Sequence, residues 1–346
     1  MLFWSDNQAT VCPEILAAVE RANEGAAKAY GADRISARLN ALFSEVFETD
    51  VTVFPVAIGT AANALAMALL ARSYGAVFCH EEADIHTHAC GAPEFYTGGA
   101  KMVPVGGAEG RVDAAALTAA IDAHPVGFVH GVQPAAITVA QATECGTVYD
   151  AGALAELGVI ARDRGLGFHI DGARSANAVV STGASPADLT WRAGVDILSF
   201  GAIKNGGLGA EAVVVFDAGL AEHVGYLQKR GGHLSSKARF LAAQLEAYLA
   251  GDLWLRNAAH ANGMARRLAD GLAALGFDLA WPAQANAVFV TLSEPAIEAL
   301  EAEGAGFYRW GKPDPATVRL VCSFETSEEQ IDAFLAALDR AMGEQP

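Results

Sequence analysis

FHIDGARSA (residues 168–176) and SFGAIKNGGLGAE (residues 199–211) decide how this chain reads. The first is an apolar run that ends in an acid and turns at once through Gly-Ala-Arg. That is the pattern of a buried strand delivering a carboxylate, Asp171, to the carboxyl edge of a sheet. The second is an apolar strand, residues 196–200, feeding a glycine-rich loop that carries one lysine, Lys204. A lysine so placed can form a Schiff base with an aldehyde cofactor. An aspartate beside it can keep a pyridinium nitrogen protonated, which makes the ring an electron sink. Together the two stretches read as a pyridoxal phosphate site.

Outward from them the chain alternates strands and helices. Residues 13–25 and 33–47 carry apolar side chains at helical spacing, and residues 51–57 (VTVFPVA) read as a strand. That strand leads through Ile58-Gly59-Thr60 into a helix over 61–74. Further strands are expected at 76–80, 101–105, 127–132, 167–170, 195–200 and 212–216, with helices at 114–123 and 151–164. This alternation predicts an α/β fold with a mostly parallel sheet and helices on both faces. Two helices rich in alanine and leucine, 235–251 and 253–275, break the pattern. Strands at 287–292 and 317–322 and a helix at 328–342 then read as a smaller α+β unit. The expected domains are a large cofactor-binding one, 1–250, whose first 30 residues form a segment packing on the small domain, and a small C-terminal one, 251–346.

Length and composition fit an enzyme of about two domains. Alanine rather than long apolar runs drives the hydrophobic content, and no uncharged apolar stretch of roughly 18 residues occurs, so no membrane span is predicted. The start, MLFWSDNQAT, has an early acid and no basic region, unlike a secretory signal, and a cytoplasmic location is expected. Cys12, Cys79, Cys90, Cys145 and Cys322 are scattered without paired spacing, which indicates neither a disulfide framework nor a zinc knuckle. A net charge of −17 argues against nucleic acid as a partner, because a phosphate backbone needs a basic patch. No G-x-G-x-x-G follows the first strand, which argues against a dinucleotide-binding dehydrogenase.

Six ordered blocks carry a resemblance: Ser5-Asp6-Asn7, Gly59-Thr60-Ala61-Ala62-Asn63, Gln141-Ala142-Thr143-Glu144, His169-Ile170-Asp171-Gly172-Ala173-Arg174, Ser199-Phe200-Gly201 with Lys204-Asn205-Gly206, and Arg319 in VRLVCSF. Running nearly end to end, they resemble the threonine aldolase family of fold type I pyridoxal phosphate enzymes, nearest to the low-specificity bacterial kind. The resemblance implies pyridoxal 5'-phosphate as cofactor and retro-aldol cleavage of a β-hydroxy-α-amino acid (L-threonine, L-allo-threonine or phenylserine) to glycine and an aldehyde. β-Elimination, racemisation or a transferase step remains the alternative on the same cofactor.

The site residues follow by position. Gly59 and Thr60 stand where backbone N–H groups and a helix dipole can hold the cofactor phosphate, or Thr60 is a plain N-cap. The resemblance puts the covalent lysine at Lys204 and the pyridinium partner at Asp171. It assigns the substrate carboxylate to Arg319 and Arg174, with Ser5 as a hydroxyl donor; Arg174 could instead position Asp171. His169, two residues before Asp171, lies on the same strand face and is either near the cofactor or a satisfied core histidine. Arg230, in the pair Lys229-Arg230, resembles a segment that reaches a neighbouring subunit's phosphate, with plain surface charge as the other reading. Such a shared site implies a homodimer or homotetramer.

The family departs from this chain in HEEADIHTHACG (residues 80–91). Threonine aldolases place a histidine there, stacked on the cofactor ring and moving a proton at the substrate hydroxyl, and counting back from Gly91 that position holds Asp84. Either His86 takes over this catalytic role by a local shift, or Asp84 acts as a carboxylate base. A metal site built from His80, His86, His88 and Asp84 is the disfavoured reading, so no metal is expected. Glu144 is a second departure, since several family members carry a histidine near it.

Overall fold

The computed structural model describes residues 1–343 and is built on two sheets. Strands β1 (Thr52–Val56), β2 (Gly75–His80), β3 (Lys101–Val105), β4 (Gln133–Ala140), β5 (Gly167–Gly172), β6 (Ile197–Phe200) and β7 (Glu211–Val215) form the larger one. Their order is β1-β7-β6-β5-β4-β2-β3. β3, β2, β4, β5 and β6 run parallel, and β7 is antiparallel to both its neighbours. All residues of β2, β6 and β7 are buried, as strands covered by helices on both faces must be.

Alternation along these strands sorts side chains into two cores. Val77, Cys79, Ala136, Ile197 and Val213 face the helix Gly59–Leu70, whose Ala62, Leu65 and Ala66 are fully buried. Ala76, Phe78, Ile137, Phe168, Leu198 and Val214 face the other way, toward Leu154 and Leu157 of the helix Ala151–Arg164 and toward Phe43 and Phe47. Phe200 meets Phe43 edge to face at 5.1 Å. Truncating a phenylalanine buried like this costs about 3–5 kcal/mol, through lost transfer energy and the cavity left behind.

The expectation that fails is the strand at 127–132. Val126 and Val129 are exposed, and the segment is a turn tied by Gln133, whose Oε1 accepts from Gly127 N (2.7 Å) and whose Nε2 donates to Gly131 O (3.0 Å). The strand is β4 itself. Its Pro134 sits where the pairing with β2 shifts register, which is where a residue without an N–H is tolerated. The helix expected over 33–47 is α-helical only from Leu39, because Asp33 accepts from the N–H groups of Ile35 and Ser36 and starts a tighter turn first. A helix the sequence reading did not single out, Ala218–Arg230, follows β7.

β8 (Ala287–Thr291), β9 (Tyr308–Arg309) and β10 (Thr317–Val321) form the second, antiparallel sheet, in the order β8-β10-β9. It packs on the helices Glu294–Ala302 and Glu328–Gly343 around Val288, Leu320, Phe334 and Leu338. The chain start joins this core: Leu2 bridges Gly306, and Phe3 is fully buried against Phe334. The helix Leu253–Ala274 serves both cores, with Leu253, Trp254 and Ala258 in the large one and Ala265, Leu268 and Leu272 in the small one. Among the described residues no helix is long and apolar enough to cross a membrane.

Candidate active site

Parallel strands leave their following loops at one edge, where ligands of open α/β sheets bind. Here the loops after β2, β4, β5 and β6 and the facing small sheet enclose a cavity of about 580 Å³, within the range of small-molecule sites. Asp171, near the end of β5, lines it. Its Oδ2 accepts from Asn63 Nδ2 (2.6 Å), one turn into the helix that starts at Gly59, and its Oδ1 from Ala173 N (3.1 Å).

Lys204 lines the same cavity from the turn after β6. Two glycines bring it there. A Cβ on Gly201 would lie 2.5 Å from Ala173 O, so only glycine lets the loops after β5 and β6 pass. Gly206, at φ +110°, closes the turn in a conformation L residues rarely adopt. Between them Asn205 anchors the turn by donating to Tyr248 Oη (2.7 Å) and Trp254 O (2.8 Å). The Lys204 ammonium has no hydrogen bond or ion pair among the described residues. Burial pushes the nearby Glu211 carboxyl up to about 7, and its Oε1 accepts from Ile203 N (3.1 Å).

The two arginines differ. Arg174 forks onto Asp6, Nε to Oδ2 at 2.7 Å and Nη2 to Oδ1 at 2.8 Å, and Asn286 also donates to Asp6 Oδ2 (3.0 Å). Burial alone would raise the Asp6 carboxyl, but Arg174 and then Lys204 outweigh it and hold it below the usual carboxylate range. Arg174 thus steadies the chain start as well as lining the cavity. Arg319, on β10, lies between Trp310 (4.7 Å) and Tyr308 (5.0 Å). Its Nε is buried without a partner and its only hydrogen bond runs from Nη2 to Trp4 O (3.3 Å). Burial, and next the charge of Arg174, lower it to about 10, so it stays charged at neutral pH. Ser5 lines the cavity, its Oγ accepting from Asn7 N (3.2 Å).

Five expected residues lie outside the cavity lining. His169 is wholly buried, its ring bonded to Thr138 Oγ1 (2.8 Å) and Ser199 Oγ (2.9 Å). Burial lowers it to about 4, so it is the satisfied core histidine of the two readings, one strand repeat behind Asp171 and outside the cavity lining. His86 is exposed and outside it too, because Asp84–Thr87 is a helical turn that sends positions two apart to opposite sides. Asp84 and His88, four apart, both line the cavity. Arg230 is exposed at the last turn of Ala218–Arg230. Gly59 and Thr60 open their helix without a side-chain cap and outside the lining, with Asn63 one turn on carrying the link to Asp171. Among the described residues no group of three or more His, Cys, Asp or Glu could hold a metal.

Asp6, Asn63, Asn286, Tyr308 and Trp310 are site neighbours without a role assignable from sequence. Asp6 and Asn63 did stand inside quoted blocks, which was their signal; Asn286 and the two aromatic residues offered none. Glu144, noted only as a departure, lines the cavity, accepts from Asp84 N (2.8 Å) through Oε1, and has a buried Oε2 without a partner. Burial, and then Asp171 and Asp84, push it up to about 8.

The family described as beta-eliminating lyase matches residues 3–295. A low specificity L-threonine aldolase of Pseudomonas aeruginosa is 43% identical over 343 residues, covering 99% of this chain and 98% of the relative. A second, from a Pseudomonas species, is 41% identical over 341 residues, with 98% and 97% covered. The solved threonine aldolase of Leishmania major superposes with a TM-score of 0.92 at 30% identity over 98% of both chains. Serine palmitoyltransferase of Sphingomonas wittichii, at 18% identity and a TM-score of 0.72 over 100% of this chain and 88% of that one, shares the fold alone.

Proposed function

The chain belongs to the beta-eliminating lyase family, on its threonine aldolase side, and from that premise we propose retro-aldol cleavage of β-hydroxy-α-amino acids to glycine and an aldehyde. The fold is that of the fold type I pyridoxal phosphate enzymes, and the chain is a pyridoxal phosphate-dependent lyase. The observation that carries the reading is one cavity lined by an unpaired lysine, a buried carboxylate and a ring-held arginine: Lys204, Asp171 and Arg319.

These residues fit the cofactor. Lys204 would supply an unpaired amino group for covalent attachment, and Asp171 would offer a carboxylate, already oriented by Asn63, to the ring nitrogen. The uncapped helix start at Gly59 and Thr60 offers backbone N–H groups to a phosphate, and a Cβ on Gly59 would meet nothing within 4 Å. When bound, pyridoxal phosphate supplies the sink for the electron pair released as Cα–Cβ breaks. Arg319 clamps the substrate carboxylate with the donors its aromatic neighbours leave unused, and Ser5 adds a hydroxyl. Arg174 stands behind them, holding Asp6 and with it the segment that carries Ser5. Arg230 is read as a contact to the phosphate of a neighbouring subunit, in a cytoplasmic homodimer or homotetramer.

The test is a screen of the purified holoenzyme against L-threonine, L-allo-threonine and phenylserine with aldehyde and glycine detection. Aldehyde from at least one is expected. Pyruvate from serine with no aldehyde from any of the three would replace cleavage by β-elimination.

A further inference from the structure

Residues 80–91 hold three histidines, and only one is placed to meet a substrate. His80 is buried with both ring nitrogens engaged, Nδ1 accepting from Glu82 N (3.1 Å) and Nε2 against Gly107 O (3.3 Å). His86 is exposed outside the cavity. His88 lines it with Asp84, whose Oδ1 lies 3.9 Å from His88 Nδ1.

The hydrogen bonds also assign the His88 proton. Thr87 Oγ1 donates to Ala83 O (3.0 Å), which spends its one hydrogen. Its 2.7 Å contact with His88 Nδ1 therefore has the imidazole as donor. Nδ1 carries the hydrogen, and the lone pair is left on Nε2. Asp84, tethered through its N–H to Glu144, sets its carboxylate on the Nδ1 side of the ring and so helps to orient it.

We infer that His88, not His86, is the catalytic imidazole of this site, with Asp84 as its positioning residue; the inference rests on the aldol reading. The substrate O–H breaks, its proton goes to Nε2 of His88, and the O–H electron pair becomes the second C–O bond of the departing aldehyde. The Cα–Cβ pair stays with the glycine carbon, which takes up one proton as His88 gives one back. The imidazole so placed lies four residues, about one helical turn, beyond the position where the family resemblance puts its histidine.

His88→Ala and His86→Ala are compared with the parent holoenzyme on the β-hydroxy amino acid it cleaves fastest. His88→Ala should lose about 100-fold or more in kcat, the scale of a general acid–base contribution, while His86→Ala stays within about twofold. The His88 side chain is 62% exposed, so its truncation spares the core, and His88→Asn with an unshifted Tm guards against misfolding. A readout independent of turnover is the preference in binding for L-threonine over 2-aminobutyrate, which lacks the hydroxyl; it should shrink in His88→Ala alone. Nitrogen-15 spectra should show the Nδ1–H form of His88. A parent that releases no aldehyde overturns the aldol reading and this inference with it. An active parent whose His88→Ala keeps a third or more of its kcat, or whose loss appears in His86→Ala instead, overturns this inference alone.

Discussion

On the large-sheet side of the cavity Asp171 is gripped by Asn63 and Ala173, and behind the lining Asp6 is gripped by Arg174 and Asn286, whereas across from them Arg319 is held by the faces of Tyr308 and Trp310. A carboxylate accepting two or more hydrogen bonds is oriented before any ligand arrives. A guanidinium held by rings, at about 0.5–2 kcal/mol per contact, is located but keeps its donors. The first arrangement suits the proposed hold on a cofactor, the second the proposed capture of a substrate carboxylate that comes and goes.

Removing the lysine proposed as covalent anchor should have the largest effect. Lys204→Ala is expected to abolish turnover, and mass spectrometry after borohydride reduction should find no attached cofactor, since no other lysine lines the cavity except Lys312, which is paired with Glu82 at 2.7 Å. Cofactor still reduced onto the variant would move the anchor elsewhere.

On the opposite side, Arg319→Lys should lower kcat/KM by about 100-fold, because an ammonium neither forks onto a carboxylate nor lies flat between two rings. The bound-cofactor absorbance should not change. An unaltered kcat/KM would take Arg319 out of substrate capture. Asp6→Asn strips the counter-charge from the buried Arg174 and should cost about 3 kcal/mol of stability, seen as a lower Tm, with a loss in kcat/KM of about tenfold. If Tm holds, the fork is not what steadies the large-sheet side.

The smallest effect concerns Glu144. Folded, it keeps until about pH 8 a proton that the unfolded chain releases near pH 4.5, so it favours folding most below the latter. That contribution is lost as pH rises through the window and is gone above it. Glu144→Gln should therefore gain Tm relative to the parent between about pH 5 and about pH 9, by a few degrees. A constant difference at both ends would mean the carboxyl ionises as freely as in the unfolded chain.

What the sequence disclosed tracks how local the cause is. β5, β6 and the helix Ala151–Arg164 were legible because their burial and caps lie within the segment, down to Asp150 accepting from Ala153 N. β4 was misplaced because Val126, Phe128 and Val129 are apolar yet exposed, while Pro134 disguised the true strand. Asp171 and Lys204 stood out from short glycine-marked loops. Asp6 did not, since its partner Arg174 lies 168 residues away. Between His86 and Asp84 the sequence left the choice open, and only the helical turn over Asp84–Thr87 shows that Asp84 and His88 line the cavity while His86 does not.

The helix Leu253–Ala274 has its first turns in the core of the large sheet and its later turns in that of the small one, and the chain start crosses back the other way with Phe3 in the small core and Ile15 in the large. Neither lobe can lose its packing without dragging a shared rod and a shared strap out of the other. Calorimetry should accordingly record one heat-absorption peak for the whole chain rather than two, and a protease cut within that helix should cause both lobes to melt together.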